Sequence, residues 1–495
     1  MRILSRRSLT SATQVRSVMT AAAKAQTKRE GNISDSFVSL SGSVIPPLPQ
    51  RFLELKKTLI GSREDCVTDS WNRLLAELKR ETKTIAEQGP RIIPSLDFQD
   101  LDADFTSLRG ELEKRGVAVI RGVIPEDEAR SYKDEIEEYV KQNPHTKAFP
   151  PNDPQVYELY WSAPQLKARA HPNVLRVQAA LMKLWHSSDP KSVISMSQPL
   201  SYADRLRIRQ PGDATFALGP HIDGGSVERW ELDGYGRGKV YDKIFEGSWE
   251  KYDPWDASTR VPAVMDNYDG LGACSMFRMF QGWLSMSNTK PLEGTIMVNP
   301  AAKLSIAYVL LRPFFQPIKD VDSVSSDEYL AAENWKFAGS EMTSELQGAT
   351  PGHGQELNAV LHPHLDLEHT MVHVPPIKPG DFVAWHCDTI HAVDKVHIGK
   401  SDSSVLYIPI CPVTELNAGY LAKQRNAFLN GTPGPDFPGG QGEADHVGRP
   451  TESYLRSFAP ASGLRAFGFE KLVPATTDTT GAKDAASLAN KTLGF

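Results

Sequence analysis

The sequence is poor in cysteine, with four in 495 residues: Cys66, Cys274, Cys387 and Cys411. None has a close partner or a zinc-site spacing. That excludes a disulfide framework and points to reduced thiols in an intracellular compartment. Cys387 reads as a small buried hydrophobe. No apolar run approaches the ~20 residues of a membrane span, so no membrane association is expected. The net charge of −6 carries no basic excess, so nucleic acid is not an expected partner. Acid is missing altogether from the first 29 residues, which hold Arg2, Arg6, Arg7, Arg16, Lys24, Lys28 and Arg29 among Ser, Thr and Ala. Lacking a continuous apolar core, that stretch is no secretory signal. It reads as a mitochondrial (matrix) transit peptide, or else as a disordered basic tail on a cytoplasmic protein.

What is present is ordinary in bulk. Hydrophobic residues make up 40% and charged residues 23%, as in a globular protein. The length allows one large domain with insertions, or two domains. The informative stretch is Gly219-Pro220-His221-Ile222-Asp223-Gly224-Gly225-Ser226. On a strand, residues i and i+2 share a face, so His221 and Asp223 converge while Ile222 turns into a core. An imidazole and a carboxylate make two thirds of a 2-His-1-carboxylate triad, which suits non-haem Fe(II) and leaves positions open for oxygen. The glycines that follow allow close approach of a backbone or a substrate.

The His-x-Asp pattern occurs three times, at His221/Asp223, His364/Asp366 and His386/Asp388. At most one is expected to be a metal pair; the others read as polar strand or loop pairs. The missing second His has a candidate downstream. Pro379-Gly380-Asp381 reads as a turn, Phe382 to Trp385 as an apolar strand, and His391 as the start of a strand or loop. His364 lies too close to His391 for intervening strands, and His386 is expected to share its strand. His221 and Asp223 leave room for four or more strands between.

Gly380-Asp381, an apolar strand and His391 resemble the distal-histidine motif of Fe(II)/2-oxoglutarate dioxygenases of the phytanoyl-CoA hydroxylase type. Leu112 to Pro125 is similar to that family's N-terminal strand, and Gly282 to Ser287 with Glu293 to Pro300 to its middle strands. A nearer resemblance is to the DUF1479 (YbiU-like) family, carried by Gly219 to Trp230 and Ser404-Val405-Leu406-Tyr407-Ile408-Pro409. It covers roughly Leu112 to Phe437. The resemblance implies an α+β fold: a double-stranded β-helix (jelly-roll or cupin-like barrel) with N-terminal helices packed on it and long insertions. It implies an oxidoreductase that uses Fe(II), 2-oxoglutarate and O2 to hydroxylate a small molecule, with release of succinate. His221, Asp223 and His391 would be both metal ligands and catalytic residues.

The chain departs from that family at one point. Members carry an Arg shortly after the distal His, for the far carboxylate of 2-oxoglutarate. Here the region reads Lys400-Ser401-Asp402-Ser403-Ser404. The strictly alternating Arg205-Leu206-Arg207-Ile208-Arg209 offers a substitute. It is either an exposed strand with a solvated basic face or a strand that aims a guanidinium fork at a carboxylate. Arg207 is the first candidate co-substrate ligand, with Arg205, Arg209 and Lys400 behind it. Trp283 falls where the family places a Trp near the co-substrate, and reads equally as a core aromatic. Glu228, Arg229 and Trp230, at the root of a long insertion, are candidates to touch substrate or to pin that loop.

The expected organisation follows. Residues 1–30 form the basic segment. Residues 31–190 form a helical region with one barrel-associated strand; its Trp71, Leu74, Leu75 and Leu78 mark one helix face. Residues 191–415 form the oxygenase core with insertions at about 227–272 and 314–375. Residues 416–495 form a helix and an extended tail, frayed from about Thr476. The missing Arg keeps other readings open: a cupin-like protein that binds a metal or ligand without turnover, or a metal-dependent isomerase or hydrolase. Substrate identity and oligomeric state are not legible.

Overall fold

The computed structural model describes residues 32–42, 45–215, 217–271 and 273–495. The basic segment read as a transit peptide lies outside the described residues. Seventeen strands run along the described chain: β1 (Ser95–Asp97), β2 (Val117–Arg121), β3 (Ala148–Phe149), β4 (Val156–Tyr157), β5 (Ile194–Leu200), β6 (Leu206–Arg209), β7 (His221–Ile222), β8 (Phe280–Ser285), β9 (Ile296–Val298), β10 (Phe315–Pro317), β11 (Trp335–Phe337), β12 (Gln355–Glu356), β13 (Val372–His373), β14 (Phe382–His386), β15 (His391–Val393), β16 (Ser403–Tyr407) and β17 (Cys411–Thr414). Eight form one sheet, in the order β1-β2-β14-β8-β16-β6-β4-β3, and five another, β12-β7-β15-β9-β13. Every pairing in them is antiparallel except β1 with β2. The architecture is mixed α+β with large antiparallel sheets.

The alternation of side chains explains the layering. Along β14, Val383 and Trp385 join Val119, Trp283 and Val405 of the large sheet and Ile296, Val298 and Val372 of the small sheet in one core between the two. Phe382 and Ala384, on the other face, pack with Ile120, Leu206, Ile208 and Leu406 against helices Leu101–Arg115, Glu126–Gln142 and Pro172–Met182. The outer face of the small sheet supplies Ile222 and Ile390 to a third cluster, with helix Glu64–Gln88, helix Ala302–Leu311 and the two long insertions. There Trp71 stacks on Phe315 at 4.4 Å between centroids. Leu74, Leu75 and Leu78 are buried beside it, as their helical spacing predicts. Burial of each such side chain stabilises the fold by roughly 1.5–3 kcal/mol.

Two expectations need correction. The tail is not extended: Thr480–Leu493 is a helix capped by Thr479, whose side chain accepts from the Ala482 amide. Its buried Ala485, Ala486, Ala489 and Leu493 sit against helix Glu415–Asn430. Alanines carry little hydrophobic signal but allow close packing, which is why the stretch reads as polar. Second, His386 and His391 do not share a strand. β14 lies in the large sheet and β15 in the small one. Of the two readings of the arginine strand, the solvated one falls: Arg205, Arg207 and Arg209 are 9%, 1% and 0% exposed. No helix among the described residues is long and apolar enough to cross a membrane.

Candidate metal centre

β7 and β15 are neighbours, and His221 and His391 stand directly opposite one another in their register. Their ring centroids are 4.0 Å apart. One strand residue and one turn residue further on, Asp223 reaches back: its Oδ1 lies 3.8 Å from His221 Nε2 and its Oδ2 3.6 Å from His391 Nε2. Ligand atoms of all three fall within 4.8 Å of one another.

The hydrogen bonds on the far side of each ring decide what the near side offers. His221 Nδ1–H donates to the Gly219 carbonyl at 2.8 Å, and His391 Nδ1–H to the Thr389 carbonyl at 3.1 Å. A carbonyl can only accept, so both rings carry a proton on Nδ1 and turn Nε2 towards Asp223. Burial, with His391 alongside, pushes His221 down to about 3, so its ring is neutral. Among the described residues no lysine or arginine lies within ion-pair distance of the Asp223 carboxylate. Two imidazole nitrogens and one carboxylate on one side of a point are the donor set that a divalent iron takes.

A cavity of about 160 Å³ opens beside these atoms, between the two sheets. The large sheet contributes Arg207, Trp283, Trp385 and Tyr407 to its wall. The volume is small beside the 300–1,000 Å³ of pockets for drug-sized ligands. Part of the cover is the segment Asn32–Gly42. Phe37 meets the His221 ring edge-on at 5.0 Å, Ser36 Oγ donates to the Leu271 carbonyl, and the Gly354 amide donates to the Ser36 carbonyl.

The structure sorts the remaining candidates. Arg207 lines the cavity; its Nη2 donates to the Gly294 carbonyl at 2.8 Å, its guanidinium lies 5.5 Å from the Trp283 ring, and its buried Nε has no partner. Trp283 lines the cavity too, with an unpartnered Nε1. Arg205 reaches the rim but interacts with Asp204 and Glu158. Arg209 is drawn off to Asp213 and to the carbonyls of Asp394 and Lys395, and does not line the cavity. Lys400 is exposed in the turn before β16, also away from it.

Of the candidates at the root of the insertion, Glu228 lines the cavity, whereas Arg229 and Trp230 are turned elsewhere. Arg229 is buried; it donates to the backbone carbonyl of Asp223 at 2.8 Å and to Asp388 Oδ1 at 2.9 Å. It thus braces the turn that carries Asp223. Trp230 is packed in the core, its Nε1–H donating to the Leu310 carbonyl. Neither lines the cavity. Residues that sequence reasoning passed over do: Phe37, Tyr202, Arg278, Gln281, Trp385 and Tyr407. The period of two along β14 and β16 places Trp385 and Tyr407 on the inner face. Arg278 and Phe37 sit in irregular chain and leave no periodic trace.

Residues 46–469 match the family described as Gig2-like. The uncharacterised protein YbiU of Escherichia coli K12 is 32% identical over 404 residues, which span 79% of this chain and 88% of that protein. GlcNAc Inducible Gene 2 (DUF1479) of Candida albicans superposes with a TM-score of 0.80 at 34% identity, over 92% of this chain and 97% of the other. A protein of Salmonella typhimurium LT2, provisionally described as an oxidoreductase, superposes with a TM-score of 0.71 at 30% identity, over 86% and 98%.

Proposed function

The chain belongs to the Gig2-like (DUF1479) family, and we propose that it is a non-haem Fe(II)/2-oxoglutarate-dependent oxygenase that oxidises a small molecule. The observation that carries this reading is the pair of Nε2 atoms and the Asp223 carboxylate, gathered beside a cavity whose wall holds a buried guanidinium. The two facing sheets are read as the halves of a double-stranded β-helix. The provisional description of the Salmonella relative as an oxidoreductase agrees with this class.

His221, Asp223 and His391 would hold the iron. Iron with 2-oxoglutarate supplies the oxidation: O2 is consumed, 2-oxoglutarate loses CO2 to give succinate, and a substrate C–H bond is hydroxylated. The chain's own part is placement and exclusion of water. Arg207 takes the distal carboxylate of 2-oxoglutarate. It does so from β6 in place of the arginine missing after His391, since Arg207 pairs directly across from Val405 on β16. A guanidinium fork suits a carboxylate, and the orphaned Nε leaves donor capacity unused. Trp283 stacks over that guanidinium and fixes its plane. Phe37 and the inner face of both sheets keep the space dry, which strengthens every ionic contact within it.

The test is succinate release. Protein loaded anaerobically with Fe(II) and 2-oxoglutarate, then exposed to oxygen, should produce succinate slowly even without substrate. No succinate, together with no binding of 2-oxoglutarate in titration calorimetry, would leave a metal- or ligand-binding protein without this chemistry.

A further inference from the structure

Arg278 is a second cation in the cavity wall, and nothing in the reading above uses it. It is 9% exposed, and it makes no hydrogen bond or ion pair with any described residue; its buried Nε is without a partner. The guanidinium only lies over the Tyr202 ring at 5.4 Å. The four carboxylates that share the cavity wall are engaged elsewhere. Asp266 accepts from the Gly270 amide at 3.2 Å. Asp204 accepts from the backbone and side chain of Arg205. Asp223 faces His221 and His391. Glu228 accepts from the amides of Ser226 and Asn267.

The segment that carries Arg278 is held on both sides. The Ser275 amide and hydroxyl both donate to Asp436. The Phe277 amide donates to Asn417 Oδ1 at 2.8 Å, and Asn417 Nδ2 returns a bond to the Phe277 carbonyl at 2.9 Å. The Met279 amide donates to the Ile410 carbonyl at 2.8 Å. A long, entropically costly side chain is thus presented from a rigid base, with its donors unspent, into a cavity.

Its donors say what it waits for. Divalent iron, Asp223, the 2-oxoglutarate dianion and Arg207 together are neutral. No described carboxylate lies within ion-pair distance of Arg278, so its guanidinium fork is left for an incoming acceptor. We infer that Arg278 is a substrate-binding residue, and that the substrate is a small oxyanion-bearing molecule whose carboxylate or phosphate group it holds. This rests on the assignment of iron and 2-oxoglutarate above. The oxidised carbon then belongs to an acid or a phosphate ester, held at one end by the Arg278 fork.

The experiment is a binding comparison on the full chain loaded with Mn(II) and 2-oxoglutarate, which binds without turning over. Butyrate and hexanoate are titrated against their amides, and glycerol 3-phosphate against glycerol, by calorimetry. At least one anion should bind about tenfold or more tightly than its neutral counterpart, the scale of a charge-assisted bidentate contact. Which of the two pairs responds distinguishes carboxylate from phosphate. In Arg278→Gln that preference should vanish while 2-oxoglutarate affinity stays within about threefold. Arg207→Gln should show the reverse, losing 2-oxoglutarate. Arg278→Lys keeps the charge but not the fork and should retain a weakened preference; it serves if the Gln variant does not fold.

Three results overturn the inference: no anion preferred in the wild type, a preference that persists unchanged in the Arg278 variants, or loss of 2-oxoglutarate in place of the anion. Failure of 2-oxoglutarate to bind the wild type refutes the oxygenase reading separately. The anion comparison in the protein with Mn(II) alone then still decides the site.

Discussion

His221/Asp223 and His386/Asp388 have the same residue types at the same spacing, and each has a third group within reach of a common point, His391 in one case and Cys387 in the other. Their surroundings make them opposites. His386 has no free nitrogen: Nε2–H donates to the Pro254 carbonyl at 3.0 Å and Nδ1 accepts from the Asp388 amide at 3.1 Å. Asp388 receives Arg229 and Arg260 together with the hydroxyls of Tyr241 and Tyr252. Burial opposes its charge, but the two arginines hold the carboxyl far below the usual range. Burial pushes the Cys387 thiol up to about 12, so it is no thiolate. One cluster gathers two Nε2 atoms and a carboxylate beside a cavity, and the other has spent every donor and acceptor on its neighbours. The second nevertheless serves the first, because Arg229 ties Asp388 to the backbone of Asp223. A metal-ligand pattern therefore means little until the partners of its atoms are known.

The comparison can be broken most sharply at the two aspartates. Asp223→Ala should lose Fe(II) and Mn(II) binding outright, with its circular dichroism spectrum and unfolding free energy within about 1 kcal/mol of wild type. Full metal affinity in that variant would remove the first cluster from its assigned role. Asp388→Asn should do the opposite. It leaves two guanidinium groups buried without a counter-charge, at a cost of about 3–5 kcal/mol in denaturant unfolding. The folded fraction should still bind one metal ion. A variant as stable as wild type would contradict the structural role.

A smaller effect should appear in acid. Burial pushes His386 down from 6.5 to about 4. The folded state disfavours the charged ring, so the unfolded chain binds more protons between these values. Stability from this group is present above pH 6.5 and is lost as pH falls towards 4, by up to about 3 kcal/mol. Buried His362 and His364 act in the same sense. The difference between wild type and His386→Gln, measured by urea unfolding at pH 7 and pH 4.5, isolates the one residue. Equal slopes with pH would remove His386 from that account. The smallest effect is expected for Arg229→Lys, which keeps the charge but cannot brace Asp223 and Asp388 together. Metal affinity should weaken by about 10–100-fold, as for other residues that orient a ligand, with little change in the far-ultraviolet spectrum. Unchanged affinity would disconnect the two clusters.

Much of this was legible from residue order. Leu112 to Pro125 resembles a strand-bearing stretch and Phe382 to Trp385 reads as an apolar strand after a turn, and β2 and β14 lie there. The face of Trp71, Leu74, Leu75 and Leu78 reads as buried from its helical spacing. The spacing of His221 and Asp223, and the distance in sequence to His391, singled out the three side chains that the fold brings within 4.8 Å. Reading failed where neighbours come from far away. Arg229 and Trp230 look like loop residues free to meet a substrate, yet Asp388 and Leu310, remote in sequence, claim them. Lys400 looks near His391 but lies exposed in a turn.

Sequence by itself determined what local rules govern: period two on strands, period 3.6 on helices, and which side chains can donate a lone pair or a fork. Only the tertiary structure decided which His-x-Asp spacing meets a second histidine at one point, which of three alternating arginines stays away from the cavity, and that Arg278 stands there unpaired. The reason is physical. The chemistry of a polar group depends on what its atoms touch, and for Asp388, Arg209 and Arg278 those contacts, or their absence, are set by parts of the chain far along the sequence.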